Sequence, residues 1–161
     1  MMITHPFLPL YDKNSKVLIL GSFPSVKSRE QNFFYGHPQN RFWRVVSAVL
    51  GEVTPDSIEK KREMLLKHGV ALWDSIGACE IVGSSDSSIK NAVPNDLTPI
   101  LETADIKMIF TNGKASHAVY NKYIRDKIGR EAVCLPSTSP ANAAWSVSRL
   151  YEVWCEIGLY L

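Results

Sequence analysis

The sequence predicts a single α/β domain in which a mostly parallel, four-stranded sheet lies between two layers of helices. Four short apolar segments have the length and composition of buried strands, and segments with helical periodicity separate them. Strands that alternate with helices are typical of a parallel sheet covered on both faces. The chain has 161 residues, 45% of them hydrophobic, which suits one domain with one core over residues 1–161.

Each strand is predicted from a continuous apolar run that ends in polar residues or glycine. The predicted strands are Lys16–Gly21, Val70–Ile76, Ile106–Phe110 and Glu131–Ser137. The helices are predicted from apolar residues at three- and four-residue spacing. They are Gln39–Leu50, Ser57–His68, Asp96–Thr103, Lys114–Lys127 and Ser146–Leu159.

Cysteine usage and hydropathy narrow the class of protein. The three cysteines, Cys79, Cys134 and Cys155, are odd in number, widely spaced and set among apolar residues, so we expect reduced core residues in a cytoplasmic protein. They form no CxxC pair or quartet, and we expect no metal and no cofactor. No apolar run approaches the ~18 residues that cross a bilayer, and no leader pattern is present. We therefore expect no membrane attachment, and no obligate protein partner is evident.

Charge is distributed unevenly along a chain whose formal net charge is +2. Basic residues predominate between Ser25 and Arg44 and again between Lys107 and Arg130, whereas acidic residues predominate between Asp74 and Asp105. Such an uneven distribution of charge is typical of a protein that binds a polyanion with a basic surface. An ordinary solvated surface of mixed charge also accounts for it.

Polar loops follow all four predicted strands. They read "GSFPS", "DSIGAC", "TNGKAS" and "PSTSPAN", and "YGHPQNRFW" comes shortly after the first. Because the carboxyl ends of parallel strands meet at one edge of a sheet, we expect these loops to converge on a binding site. Any one of them alone could merely connect two elements.

The chemistry available in these loops is that of amides and hydroxyls. They contain no carboxylate pair, no metal-ligand cluster and no phosphate-binding GxxxxGK. Asn40 and Asn112 stand out, and an asparagine positions water or donates hydrogen bonds without titrating. Such residues suit a reaction whose leaving group departs largely by itself, such as cleavage of the N-glycosidic bond to a deaminated base.

Six motifs in order carry a family resemblance. "LILGSFPS", "FFYGHPQNRFW", "LWDSIGAC", "GSSDSSI", "IFTNG" and "LPSTSPANA" resemble the uracil-DNA glycosylase superfamily, and they are most similar to its hypoxanthine-DNA glycosylase branch. The resemblance spans Val17 to Trp154. It implies a monofunctional DNA glycosylase that extrudes a deaminated base from double-stranded DNA and hydrolyses its N-glycosidic bond in base excision repair.

The resemblance also implies roles for individual residues. Mismatch-specific uracil glycosylases carry an asparagine where this chain has Phe23, so the water-positioning role is implied for Asn40, with Asn112 assisting. Capping of a helix by Asn40 and a turn at Asn112 are the structural alternatives. Tyr35 is implied to stack on the extruded base, and a core position is its alternative. The implied base-binding residues are Ser22, Phe23, Tyr35 and His37.

Contacts to the DNA backbone are predicted for the serine-rich loop before the last helix. Its hydroxyls and amides suit phosphates on either side of an extruded nucleotide. The predicted DNA-binding residues are Ser25, Lys114, Ser137, Thr138, Ser139 and Asn142.

Three other functions stay open on the sequence. A uracil or mismatch glycosylase would differ in the base that it releases. A catalytically silent nucleic-acid-binding module is consistent with Phe23 at the position of the usual asparagine. A protein that binds a small nucleotide would be indifferent to duplex DNA.

Overall fold

The computed structural model describes residues 1–161 and contains two sheets. The strands are β1 (Ile3–Thr4), β2 (Val17–Gly21), β3 (Val70–Asp74), β4 (Ile76–Glu80), β5 (Lys90–Pro94), β6 (Met108–Asn112) and β7 (Ala132–Leu135). The α-helices are α1 (Val26–Gln31), α2 (Phe42–Val49), α3 (Ile58–His68), α4 (Thr98–Thr103), α5 (Lys114–Val119), α6 (Arg125–Ile128) and α7 (Val147–Trp154).

The main sheet has four parallel strands in the order β3-β2-β6-β7, with helices packed on it. Leu18 in β2 pairs with Ala71 on one side and with Ile109 on the other. All five residues of β2 and of β3 are buried, as expected of strands covered on both faces. The predicted fold class is confirmed, and a parallel strand overlaps each of the four predicted segments, with shifted ends.

A second, antiparallel sheet was not predicted. It has the order β1-β4-β5 and continues directly from β3, because Ser75 N–H donates to the Gly21 carbonyl and Ile76 N–H to that of Ser22. The prediction of a strand over Val70–Ile76 followed by a loop over "DSIGAC" was therefore wrong, since that segment is largely β4. β4 and β5 are only partly buried and irregularly paired, so neither forms an apolar run.

The helices follow the predictions, with shifted ends. α2 begins at Phe42, three residues later than predicted, because Asn40 and Arg41 belong to a loop network instead. A π-helical turn over Tyr120–Ile124 joins α5 to α6, and 3₁₀ turns over Cys155–Tyr160 follow α7. α1 was not predicted. No helix of the structure combines the length and the hydrophobicity that spanning a bilayer requires.

One large core holds the molecule together. It contains 29 buried residues, among them Phe42, which is fully buried, and Trp43. The expectation that all three cysteines are core residues is wrong, since Cys79 is buried but Cys155 is half-buried and Cys134 is exposed on the edge strand β7.

Candidate active site

A cleft of about 280 Å³ opens at the carboxyl ends of the parallel strands. The loops after β2 and β7 reach it, as do the last residues of β3 and β6 and the segment that precedes α2. Ten of the twelve predicted site residues line the cleft. These ten are Ser22, Phe23, Ser25, Tyr35, His37, Asn40, Asn112, Ser137, Thr138 and Ser139.

Asn112, Thr138 and Asn40 form one chain of hydrogen bonds along a wall of the cleft. The Asn112 amide donates to Thr138 Oγ1 (2.9 Å), and Thr138 N–H donates back to Asn112 Oδ1 (3.0 Å). Thr138 Oγ1 then donates to Asn40 Oδ1 (2.8 Å). Thr138 is fully buried, so this chain fixes both asparagines from behind.

The contacts of Asn40 determine which way its amide faces. Asn40 Oδ1 also accepts from Phe42 N–H (2.9 Å), which caps the start of α2. A backbone N–H can only donate, so the oxygen is assigned without ambiguity. The amide nitrogen makes no hydrogen bond within the protein, and Asn40 is therefore a donor toward the cleft.

Arg41 holds the serine-rich loop after β7. Its guanidinium donates to the carbonyls of Thr138 (3.3 Å), Ser139 (2.8 Å) and Asn142 (3.1 Å), and to that of Trp145. The backbone N–H of Arg41 donates to Thr138 as well (3.1 Å). Arg41 therefore binds carbonyls of the protein itself, and it does not add to the basic surface that the charge distribution suggested.

Tyr35 lies in a strained backbone conformation beside the cleft. Its φ of 52° is left-handed, which costs a non-glycine residue of order 1–3 kcal/mol. Trp43 Nε1–H holds the turn by donating to the carbonyls of Phe34 and Tyr35, both at 3.2 Å. The ring packs against Phe42 with centroids 4.1 Å apart. The hydroxyl is buried and has no partner; burial, and then the charge of Asp74, raise the pKa of Tyr35.

Asp74 ends β3 inside the cleft and is paired with a buried histidine. His5 Nε2 lies 2.7 Å from Asp74 Oδ2, and the two side chains are 3% and 5% exposed. Phe7 N–H donates to His5 Nδ1 (3.4 Å), which places the ring proton on Nε2, where it donates to Asp74. The other carboxylate oxygen, Oδ1, makes no hydrogen bond within the protein.

Asp86 brings a second carboxylate from the loop between β4 and β5. It accepts a hydrogen bond from Ser22 Oγ (2.8 Å). Partial burial raises the pKa of Asp86, and the nearby Asp74 adds to the increase. Val26 N–H donates to Ser84 Oγ (2.9 Å) in the same loop. The antiparallel sheet therefore supplies one wall of the cleft.

The remaining predicted residues have mixed surroundings. His37 Nδ1 accepts from Gln39 N–H (3.1 Å), which leaves Nε2 as a donor. Ser25 caps α1 by accepting from Ser28 N–H (3.2 Å). The other two predicted side chains do not line the cleft. Asn142 braces its loop by donating to the Ser137 carbonyl (3.0 Å), and Lys114 is exposed at the start of α5.

Sequence reasoning missed His5 and Asp86 as parts of this site. His5 lies 69 residues before Asp74, and Asp86 lies 64 residues after Ser22. No local pattern marks His5, and although Asp86 stands in the motif "GSSDSSI", the sequence assigned it no role. Phe23 lines the cleft but is mostly buried against Ile76 and Cys79. Its ring is therefore part of the apolar wall of the cleft.

Known proteins resemble this chain in both sequence and fold. The family model described as the uracil DNA glycosylase superfamily matches residues 8–157. A Methanosarcina acetivorans protein named hypoxanthine DNA glycosylase is 37% identical over 153 residues, which are 94% of this chain and 96% of that protein. A Methanosarcina barkeri protein of the same name is 34% identical over 138 residues, which are 84% and 86% of the two chains. A solution NMR structure of a Methanosarcina acetivorans protein, described as a uracil DNA glycosylase, has a TM-score of 0.80 at 32% identity and covers 98% of this chain and 99% of its own.

Proposed function

Because this chain belongs to the uracil DNA glycosylase superfamily, we propose that it releases hypoxanthine from deoxyinosine in double-stranded DNA. Two relatives that are 37% and 34% identical carry the name hypoxanthine DNA glycosylase. The observation that carries the proposal is the cleft, in which hydrogen-bonded asparagines face a buried carboxylate. The reaction is hydrolysis of an N-glycosidic bond by a monofunctional DNA glycosylase, which needs no covalent link to the protein.

The two ends of the cleft differ in charge, and this orients the extruded nucleotide. Asp74 and Asp86 make one end acidic, whereas the serine-rich loop after β7 lines the other with the hydroxyls of Ser137 and Ser139, which accept from amides of their own loop and keep their own hydrogens to donate. A phosphate is repelled by carboxylates and bound by amides and hydroxyls. The base therefore enters the acidic end, and the sugar and its phosphates lie along Ser137 and Ser139.

Asn40 and Asn112 then lie beside the glycosidic bond with different tasks. As the bond breaks, its electron pair moves onto the base, and the free amide N–H groups of Asn40 donate to that growing negative charge. The water-positioning role that the resemblance implies for Asn40 passes in this proposal to Asn112, because Asn40 Oδ1 already accepts two hydrogen bonds, whereas Asn112 Oδ1 keeps one lone pair beyond the bond from Thr138 and accepts from the attacking water. The water's oxygen bonds to the sugar carbon, and its proton leaves to solvent or to the departing base. Tyr35 and Phe23 shape the apolar walls around the base.

A substitution of Asn40 tests the proposal directly. The measurement is single-turnover release of base from labelled duplexes that contain inosine, uracil or xanthine. Asn40→Asp keeps the oxygen that caps α2 and accepts from Thr138, but it replaces the donor with a second acceptor. We expect release of hypoxanthine by the wild type and a loss on the order of 100-fold in Asn40→Asp, with binding to the duplex retained.

Two controls make the result interpretable. Asn14→Ala changes an exposed asparagine far from the cleft and is expected to leave release unchanged. Thermal unfolding of each variant confirms that the fold is intact. Full activity in Asn40→Asp would contradict the donor role, and a preference for uracil would assign the chain to a uracil or mismatch glycosylase. Binding without any release would identify a silent module.

A further inference from the structure

The wall of the cleft contains a hydrogen-bond acceptor that is held in place and makes no hydrogen bond within the protein. Asp74 is 4% exposed, and its Oδ2 is occupied by His5. Its Oδ1 faces Gly21 so closely that a Cβ on that residue would collide with it. Because Asp74 lines the cleft and Oδ1 has no partner in the protein, this oxygen is available to a donor on a molecule that enters the cleft.

A second, independent group at the same place points to a ligand. The Tyr35 hydroxyl is buried without a hydrogen-bond partner, and it would lie 3.0 Å from the same Gly21 Cβ. Carboxylate and hydroxyl thus converge on one point at the inner end of the cleft. Together they offer an acceptor and a donor side by side.

Deamination changes a base in the feature that such a pair can read. The ring nitrogen N1 of adenine is an acceptor next to an amino donor, and N3 of cytosine is the same. In hypoxanthine and uracil that nitrogen carries a hydrogen and lies next to a carbonyl oxygen. A fixed acceptor beside a donor therefore complements the deaminated bases and repels the parent bases.

We propose that Asp74 Oδ1 accepts the ring N–H of the extruded base, and that His5 is the positioning residue that holds this carboxylate in its accepting orientation. The inference rests on the proposed function and deepens it, because it names the group that distinguishes hypoxanthine from adenine. Guanine and thymine also carry a ring N–H. They are rejected by other means, among them the cost of extruding a base from a matched pair.

His5 comes from the N-terminal segment, outside the part of the chain that the family model matches. It follows β1 and precedes residues 8–157, the part of the chain that the family model matches. Its ring packs against Trp73 and Phe7, with centroids 4.4 and 4.5 Å away, so it cannot swing out of the pair. The N-terminal segment thus holds the Asp74 carboxylate in place through His5.

The test combines Asp74→Asn with a substrate that lacks the ring N–H. Asparagine has the shape of aspartate, and His5 Nε2–H retains its oxygen, so the new amide nitrogen faces the base. Single-turnover release is measured from duplexes with deoxyinosine and with deoxynebularine, whose purine has an acceptor at N1. Inhibition by free hypoxanthine and free purine provides a readout that requires no cleavage.

We expect Asp74→Asn to slow release from deoxyinosine on the order of 100-fold while changing release from deoxynebularine less than about threefold. Inhibition by hypoxanthine should weaken, and inhibition by purine should not. His5→Leu should follow Asp74→Asn, whereas His5→Gln, which can still donate to the carboxylate, should recover much of the discrimination. Asp126→Asn, an exposed carboxylate, serves as the matched control.

The outcomes separate this inference from the function on which it rests. Equal losses on both duplexes, with equal weakening of both inhibitors, would mean that Asp74 is merely structural and would overturn the inference alone. Absence of wild-type release from deoxyinosine would overturn the proposed function. Circular dichroism of each variant identifies any loss that comes from unfolding.

Discussion

Thr138 joins the two asparagines of the cleft through a single hydroxyl. This hydroxyl accepts from Asn112 and donates to Asn40, and the residue is fully buried. Thr138→Val keeps the shape and the backbone N–H but leaves both amides without their shared partner. We expect base release to fall between about 10- and 100-fold, because an unpaired buried group costs ~1–3 kcal/mol and Asn40 Oδ1 is then held by Phe42 N–H alone. Single-turnover kinetics on the inosine duplex measure this.

A matched change elsewhere serves as the control for Thr138→Val. The hydroxyl of Thr54 pairs with that of Ser47 (3.1 Å), far from the cleft. Thr54→Val removes the same chemical group and is expected to leave release unchanged. If both variants lost activity equally, the hydroxyl of Thr138 would have no special part in orienting the asparagines.

Gly21 sets the distance between the end of β2 and the acidic end of the cleft. An added Cβ would collide with Asp74 Oδ1 and lie 3.0 Å from the Tyr35 hydroxyl. Gly21→Ala should therefore displace the carboxylate and lower release of hypoxanthine at least about tenfold, through the lost hydrogen bond. Gly158→Ala, where a Cβ meets no atom within 4 Å, is the control. Unchanged kinetics in Gly21→Ala would argue against an essential position for Asp74.

The sequence reveals which residues reach the cleft more readily than what they do there. Asn40 and Tyr35 could be predicted because they belong to a local motif. The donor orientation of Asn40 could not, since it depends on Thr138, which lies 98 residues away. The same holds for the pair of His5 and Asp74, whose packing is settled only by the tertiary fold.

At the scale of elements, the loop after β7 depends on one arginine that precedes α2. Four carbonyls of that loop accept from the Arg41 side chain. Lysine cannot reproduce this planar fork of donors. Arg41→Lys should therefore accelerate amide hydrogen exchange in residues 137–145 and slow base release, with most of the fold intact.

Arg44 offers the comparison for Arg41→Lys. It lies one turn further along α2, is exposed, and makes no side-chain hydrogen bond. Arg44→Lys preserves the charge and should leave both the exchange of the loop and the release of base unchanged. Unchanged exchange together with normal release in Arg41→Lys would show that the loop is held by its own internal turns.

Strands differ in how well the sequence predicts them, and burial explains the difference. β2 and β6 are continuous apolar runs because both faces of the parallel sheet are covered. β4 and β5 alternate weakly and pair with register shifts, so they look like loops. The shifted start of α2 has another cause, because Asn40 and Arg41 make their bonds outside the helix.

At the scale of the whole molecule, both sheets contribute side chains to the cleft and its surroundings, and they contribute different ones. The parallel sheet supplies the asparagines, the serine-rich loop and Asp74, whereas the antiparallel sheet supplies His5 and Asp86. Only the first sheet was predicted. The acidic end of the cleft, which we connect with the choice of base, therefore combines Asp74 from the predicted sheet with His5 and Asp86 from the part of the fold that was not predicted.

Stability of the whole molecule should fall in alkali, because buried tyrosines resist ionisation only while the chain is folded. Tyr120 is fully buried, and its hydroxyl donates to the Arg130 carbonyl (2.6 Å). Burial raises the pKa of Tyr120 to about 12 in the folded protein, against ~10 when unfolded. The unfolded chain therefore ionises first. The stability is complete below pH ~10 and is lost as the pH rises toward ~12.

Chemical denaturation at several pH values tests this directly. We expect the free energy of unfolding to decrease between pH ~10 and ~12 in the wild type. Tyr120→Phe should flatten part of that decrease, while it lowers stability at neutral pH by about 1 kcal/mol through the lost hydrogen bond. Tyr11→Phe, which removes a hydroxyl that donates to no protein group, is the control. An equally steep decrease in Tyr120→Phe would assign the alkaline transition to other groups, of which Tyr35 is the first to examine, since burial raises its pKa as well.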